Sequence, residues 1–298
     1  MVGTHYIDFV KSGVKANLSP KFDVSSVYLL VSWLVACVKL HDSNRFPDDI
    51  VIIKEDEEKL ARAVQVLNEE GKQYGLIMNI DKTKKMVFGD KEIGGSMWIL
   101  ENVEKFTYLG SRMMYDLDCK KEIVTRIAKE RVSLKAMDKI WKSKAISLGT
   151  KLSIFKTCVF SSMLYGCETW VTTKDSKRRI LAFVMSCYRK ILRTGWMQKV
   201  TNEELSRKIQ PKENLLQKVI KWKLQLFGHI CRMNYKRKVK TLVFAIMDGP
   251  NKRDRPHRKW VDDIVDWCRA SLQKLSHSAL DRERWKEIVR EASDTNRH

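Results

Sequence analysis

The spacing of apolar residues changes near Gly110 and divides the chain into two parts with different secondary structure. Before this point, short β-type runs at residues 50–53 and 86–88 flank one stretch with helical spacing. After it, apolar residues recur every three or four positions through several helix-length segments. The pattern predicts an α+β fold in which a small β-hairpin and helix unit precedes a larger all-helical region.

The local signals place individual elements in the first part. Apolar residues at helical spacing between residues 60 and 74 follow an acidic first turn, and Gly75 provides a stop signal. Leu76, Met78 and Ile80 alternate as in a strand, and residues 86–88 predict another. We therefore expect a β-rich segment to about residue 109.

The second part predicts a series of helices. Thr201 and Glu204 have the spacing of a capping box, and Pro211 suits the first turn of the helix that follows. The apolar spacing predicts helices over residues 123–141, 148–159, 181–191, 215–230, 258–274 and 281–292.

The basic charge of the chain lies almost entirely in this second part. The formal net charge is +21, but residues 1–100 carry −1 and residues 101–298 carry +22. A surplus of this size points to a polyanionic partner, either a nucleic acid or an anionic membrane surface. Because it exceeds what solvation of a helical surface needs, we favour RNA or DNA as the partner.

The apolar run at residues 27–38 and the seven cysteines indicate where the chain functions. The run is too short for a membrane-spanning helix, so a buried strand or core helix is expected, with a weak membrane anchor as the alternative. No cysteine pair has CxxC spacing, which argues against a zinc cluster and for a reduced, intracellular chain in the nucleus or cytoplasm.

Clusters of Lys and Arg are the candidate nucleic-acid ligands, since cations neutralise phosphates. The alternative is a solvated helix face, and most of the interleaved Trp residues are expected in the core. The run at 236–238 also resembles a nuclear import signal. The candidate ligands are Lys174, Lys177, Arg178, Arg179, Arg189, Lys190, Arg193, Lys236, Arg237, Lys238, Arg255, Arg258 and Lys259.

Two further residues invite a chemical role but are expected to be structural. His229 has Cys231 two positions away and no third ligand nearby, so a packed histidine near a helix end is favoured. Glu168, beside Trp170, has the same structural interpretation.

An acidic pair stands at the turn of the predicted hairpin. Asp48 and Asp49 follow Pro47 between two apolar runs, and adjacent carboxylates on such a turn are an arrangement that can hold Mg²⁺. The alternative is an ordinary solvated turn, but apolar residues on both sides favour carboxylates that project from a packed sheet.

An ordered series of motifs resembles the reverse transcriptases of non-LTR (LINE-type) retrotransposons. The resemblance covers about residues 43–290 and includes the palm motif, aromatic-x-Asp-Asp followed by a strand. The matching segments are NRFPDDIVII (44–53), LNE (67–69), YGLIMNIDKTK (74–84), YLG (108–110), LYGCETW (164–170), GHICRM (228–233), RP (255–256) and KWVD (259–262).

The resemblance implies a role for several residues. Asp48 and Asp49 occupy the catalytic pair that binds Mg²⁺, and Phe46 fills the aromatic position beside the nucleotide. Lys82 and Lys84 fall in the segment near the phosphates of the incoming dNTP. Pro47 stands where a small residue is usual, and Asp254 stands where Gly is usual.

The resemblance also divides the chain into regions. Residues 1–42 are unmatched, 43–110 correspond to a partial palm, 111–249 to a helical thumb-like region and 250–298 to a basic helical tail. A missing earlier motif normally supplies another catalytic Asp, and Asp8, Asp23 and Asp42 do not lie in a segment resembling it.

These absences favour a truncated reverse transcriptase with little or no polymerase activity alone that retains nucleic-acid binding. An intact reverse transcriptase is a further partner that this interpretation suggests. The alternatives are a non-catalytic RNA- or DNA-binding helical protein and a non-functional pseudogene product.

Overall fold

The structure, a computed structural model, describes most of the chain and contains two compact units. The first unit comprises Met1–Asp118 and Asn234–His257, and the second comprises Cys119–Met233 and Arg258–His298. The described residues are 5–10, 50–54, 57–88, 100–108, 110–114, 119–211, 214–235, 237–245 and 258–295.

The described elements confirm an α+β fold with a mostly helical second part. The strands are β1 (His5–Val10), β2 (Ile50–Lys54), β3 (Lys84–Phe88), β4 (Glu101–Asn102), β5 (Lys105–Tyr108) and β6 (Ser111–Met114). The helices are α1 (Glu57–Gln73), α2 (Cys119–Ala136), α3 (Asp138–Lys142), α4 (Leu148–Ile154), α5 (Ser161–Leu164), α6 (Lys174–Leu192), α7 (Asn202–Ile209), α8 (Leu215–Arg232), α9 (Lys238–Ala245), α10 (Trp260–Cys268), α11 (Leu272–Ser278) and α12 (Arg282–Thr295).

The larger sheet of the first unit has the strand order β2-β1-β3-β4. Strand β1 runs antiparallel to both neighbours, with Val10 opposite Ile50 and His5 opposite Phe88. Strands β5 and β6 form a separate antiparallel pair. The N-terminal segment that matched no motif therefore supplies a central strand of this sheet.

Helix α1 covers this sheet as its apolar spacing predicts. Leu60, Val64 and Leu67 are buried and form a core cluster with Ile52 of β2. The chain leaves the helix through Gly75, whose φ of 73° lies in the left-handed region that glycine adopts without a Cβ penalty. The predicted helix and its stop signal are both confirmed.

The strand predicted from the alternation at residues 76–80 is wrong. Leu76, Ile77 and Ile80 are at least half exposed, and the segment enters a short 3₁₀ helix, Ile80–Lys82. The Asn79 side chain accepts a hydrogen bond from the Lys82 backbone N–H at 3.0 Å. This local bond stabilises a turn in competition with strand pairing.

The second unit is built on a helical core. A cluster of buried side chains extends from α2 to α8 and includes Phe155, Val159, Phe183 and Tyr188. The helix predicted over residues 148–159 is observed as α4, a π-helical segment Phe155–Phe160 and α5.

The single helix predicted over residues 123–141 is instead two helices. The chain breaks at Met137 between α2 and α3, and the Trp141 indole N–H donates to the Leu134 carbonyl at 2.8 Å. Lys151 Nζ donates to the carbonyls of Trp141 and Ser143 at 3.0 and 2.7 Å. These contacts bury Trp141 and satisfy carbonyls that the end of α3 leaves open.

The caps of the next helices agree only in part with prediction. Thr201 and Glu204 form the expected capping box at the start of α7. Pro211 is not in the first turn of α8, because that helix begins at Leu215 with Asn214 as its N-cap. The Asn214 and Gln217 side chains form a second capping box that fixes this boundary.

The C-terminal helices α10 to α12 belong to the same unit as α2 to α8. The Trp285 indole N–H of α12 donates to the Leu224 carbonyl of α8 at 2.9 Å, and its ring packs against Phe227. Within the part of the chain that the structure describes, no helix has the length and apolar character needed to cross a membrane.

Candidate nucleic-acid interface

The acidic pair of the predicted metal site directly precedes strand β2 in the sequence. Asp48, Asp49 and Phe46 are outside the described residues, and β2 begins at Ile50, so the strand expected after the pair is present. Among the described residues, no three His, Cys, Asp or Glu side chains are grouped to hold a metal ion. Binding of Mg²⁺ by the pair stays a prediction.

Strand β1 contributes an acidic residue, Asp8, to the sheet that contains β2. In the backbone register, Asp8 is opposite Ile52 of β2 and Lys85 of β3. Local sequence patterns do not associate Asp8 with β2, because the pairing of β1 with β2 joins segments about forty residues apart. The apolar residues on either side of Asp8 are the sequence feature that could have indicated a strand at this position.

The two lysines assigned to nucleotide binding lie on either side of Thr83. Lys82 is exposed in the 3₁₀ turn, whereas Lys84 is in β3 and forms an ion pair with Glu101. Both are accessible enough to meet a ligand, and their role stays a prediction.

Helix α6 presents several of the predicted phosphate ligands. Lys174, Arg178 and Arg179 are exposed, while the apolar face of the helix is buried. Arg178 and Arg179 both bind the Asp175 carboxylate, at 2.8 and 2.7 Å. Both hydrogen bonds lower the pKa of Asp175, and the bond from Arg179 has the larger effect. Part of the positive charge at this end of the helix is therefore already neutralised.

The remaining cations of α6 also have partners inside the unit. Lys177 Nζ lies 5.6 Å from the centre of the Trp267 ring. Arg189 donates to Asn202 Oδ1 at 2.8 Å, and Lys190 pairs with Asp138 at 2.9 Å. Arg193 is exposed and donates to the Lys142 carbonyl at 3.3 Å. Most of the predicted phosphate ligands in this region therefore already contact groups within the helical unit.

The second predicted cluster is only partly described. Lys236, Arg255 and the side chain of Lys238 lie outside the described residues, and Arg237 is exposed. Lys259 is half-buried at the N-terminus of α10. Arg258 is held by two carboxylates, Asp263 and Asp266, so its charge is compensated within the protein.

Asp263 and Lys223 form a fully buried ion pair. Lys223 Nζ of α8 donates to Asp263 Oδ2 of α10 at 2.6 Å and to the Trp170 carbonyl at 2.8 Å. The Thr172 backbone N–H donates to Asp263 Oδ2 at 2.8 Å, and Arg258 Nε donates to Oδ1 at 2.8 Å. The network links α8 and α10 with the segment that precedes α6.

The surroundings of this pair keep its carboxylate charged. Burial acts to raise the pKa of Asp263, but the Lys223 ammonium, the Thr172 N–H and Arg258 stabilise the anion and lower its pKa below the ordinary value. Lys223 also lies 5.1 and 5.4 Å from the ring centres of Trp260 and Trp267. Lys223 is therefore a structural cation and not a ligand for phosphate.

The aromatic residues mostly belong to the core, as expected. Trp170, Trp260, Trp267 and Trp285 are at most 3% exposed, whereas Trp222 is 36% exposed. The side chain of Trp196 is outside the described residues. Stacking on bases is therefore not a role for the buried four.

The structure confirms the prediction for Glu168 but not the prediction for His229. Glu168 is buried, which confirms the structural interpretation. The packed position expected for His229 is wrong, because its side chain is exposed on α8. The neighbouring Gly228 and Ile230 take the buried side of the helix.

A group of cations on α8 and α12 was not predicted as a site from the sequence. Lys221 and Arg232 of α8 line a cleft together with Arg282, Lys286 and Arg290 of α12. The four-residue spacing of the last three is a signal that they share a helix face. Their position opposite α8 depends on tertiary packing and could not be read from spacing.

Comparisons with known proteins support a transposon origin. The chain is 24% identical over 270 residues to an uncharacterized transposon-derived protein of Caenorhabditis elegans. The similar region covers 83% of this chain and 94% of the relative. No family model matches the chain. No solved structure matches it either.

Proposed function

We propose that the chain derives from the reverse transcriptase of a non-LTR retrotransposon and now binds nucleic acid through its helical unit. The main support for this proposal is the charge of the helical unit, which has 35 Lys and Arg residues and 16 Asp and Glu residues, a formal net charge of +19. A unit with its own core and this charge attracts a polyanion. The ordered motifs and the transposon-derived relative support the ancestry.

RNA binding by the full chain is the direct test of this function. We expect the affinity for a labelled single-stranded RNA to fall steeply as salt is raised, because each neutralised phosphate releases a counterion. The same titration with DNA of equal length measures any preference between the two. Absence of binding at low salt would contradict the proposal.

The acidic pair permits a test of residual polymerase activity. If Mg²⁺ binds, Asp48 and Asp49 would hold it, and the ion would supply the Lewis acid for nucleotidyl transfer. We expect primer extension on an RNA template to be no greater for the wild-type chain than for Asp48→Ala/Asp49→Ala. This expectation follows because no segment in residues 1–47 resembles the motif that supplies the other catalytic Asp of the family.

Extension by the wild-type chain that the double substitution abolishes would show that catalysis survives. RNA binding by the same double variant is the control, since Asp48 and Asp49 lie outside the helical unit that we propose as the binding surface.

A further inference from the structure

A cleft of about 640 Å³ lies between α8 and α12 in the helical unit. Its cationic lining consists of Lys221 and Arg232 from α8 and Arg282, Lys286 and Arg290 from α12. Residues three or four positions apart share a helix face, so the last three form one stripe that faces α8 across the cleft. None of these five residues was among the phosphate ligands predicted from sequence.

The charge of the cleft is only partly compensated. Lys286 pairs with Glu283 at 2.7 Å, but both side chains are at least 70% exposed, and such a pair is weak. Within the described ranges, Arg282 and Arg290 have no ion pair or hydrogen bond to a side chain. Asp294 is the carboxylate of the lining.

Arg232 of α8 and Arg282 of α12 line the same cleft. Burial and the neighbouring Arg282 guanidinium lower the pKa of Arg232, which donates to the Ala279 carbonyl at 2.6 Å. Like charges held together in a cleft repel each other, and an anion between them relieves that repulsion. The cleft is therefore arranged to receive negative charge.

The Trp285 ring in the cleft lining offers no exposed indole surface. Trp285 is 3% exposed, and its indole N–H is used by the Leu224 carbonyl. It packs directly over Gly228, where an added Cβ would lie 2.2 Å from Trp285 Nε1. The cations of the lining are therefore the groups that can contact a nucleic acid, and cations bind phosphate groups, whereas the buried Trp285 ring cannot stack on bases.

The length of the cationic lining favours a polymer. At 1.5 Å per residue, Lys221 and Arg232 are about 16 Å apart along α8. A nucleic-acid strand in a duplex presents about five phosphates over that distance. A single small anion would meet only one end of the lining.

We infer that the cleft between α8 and α12 binds the phosphate backbone of a nucleic acid without reading its sequence. This inference rests on the proposed function, and it assigns phosphate binding to residues outside the Lys and Arg clusters predicted from the sequence. Arg282 and Arg290 are the principal ligands, since they are exposed and have no internal ion pair among the described residues.

The test compares two charge-reversed variants of the full chain. Arg282→Glu/Arg290→Glu changes the cleft, and Lys274→Glu/Arg284→Glu changes the net charge equally at exposed positions outside its lining. We expect the cleft variant to lose RNA affinity by about 10-fold or more and its salt slope to fall by about 1.4, near 0.7 per lost phosphate contact. We expect the control to lose about 3-fold or less.

Further measurements distinguish the possible causes of a loss of RNA affinity. Arg282→Gln/Arg290→Gln should lose less affinity than the charge reversal, and DNA should show the same order of variants as RNA. Equal thermal stability of the variants, measured by circular dichroism, excludes unfolding as the cause. Losses confined to one RNA sequence would overturn the assignment to the phosphate backbone.

The two proposals fail in different ways. If the wild-type chain binds RNA and the two charge-reversed variants bind equally well, the cleft is not the site, although the proposed function stands. If the wild-type chain binds neither RNA nor DNA, both are overturned. Binding to anionic lipid vesicles in place of nucleic acid would also overturn the inference.

Discussion

Replacing Asp263 with Ala is expected to lower the free energy of unfolding by about 3–5 kcal/mol. The carboxylate is fully buried and accepts hydrogen bonds from Lys223, Arg258 and the Thr172 backbone. Burial already lowers the pKa of Lys223, and removal of Asp263 leaves this buried amine with only a carbonyl and two aromatic rings for compensation, so it must lose its proton or stay charged without a counterion. Chemical denaturation at pH 7 measures the loss.

Asp266→Ala is the matched control for this prediction. Asp266 also pairs with Arg258, but its side chain is 56% exposed, so its loss should cost about 1 kcal/mol or less. Lys223→Met should be destabilising alone, and Lys223→Met/Asp263→Leu should cost less than the two single changes together. Equal, small effects of Asp263→Ala and Asp266→Ala would show that the buried pair contributes little.

Gly228→Ala is expected to destabilise the helical unit by about 1–3 kcal/mol, although alanine favours a helix. The new Cβ would meet Trp285 Nε1 at 2.2 Å, so α8 and α12 would have to separate or the indole would have to leave the Leu224 carbonyl. The same change should weaken RNA binding by distorting the cleft. Thermal and chemical denaturation measure the first effect.

Gly149→Ala provides a control of opposite sign. Gly149 lies in α4 and has open space around it, with the nearest atom 3.9 Å from an added Cβ. This change should leave stability unchanged or raise it by up to about 1 kcal/mol. In a Trp285→Ala background, Gly228→Ala should lose its cost, and additive effects of the two substitutions would contradict the proposed steric contact.

Features set by neighbouring residues could be predicted from sequence. Helix α1, its end at Gly75 and the capping box of α7 depend on spacing and on side chains a few positions apart. The strand before Glu55 and the helical second part follow from the same local patterns. The break at Met137 was missed because Trp141 folds back onto Leu134, a contact that helical spacing does not reveal.

Features set by distant contacts could not be predicted. Lys223 belongs to a series of lysines on α8 and could be mistaken for a surface ligand. It is buried and bound by two distant segments, through Asp263 of α10 and the Trp170 carbonyl before α6. Strand β1 likewise pairs across about forty residues of chain. The cationic cleft depends on the packing of α12 against α8, which Gly228 and Trp285 permit.

The salt dependence of RNA binding by the wild-type chain tests the central claim most directly. If the helical unit binds phosphates, the logarithm of the association constant should fall linearly with the logarithm of the salt concentration. About five phosphate contacts to a single strand give a slope near −3.5. An affinity that does not change between about 50 and 200 mM salt, or no binding at the lower value, would contradict the account.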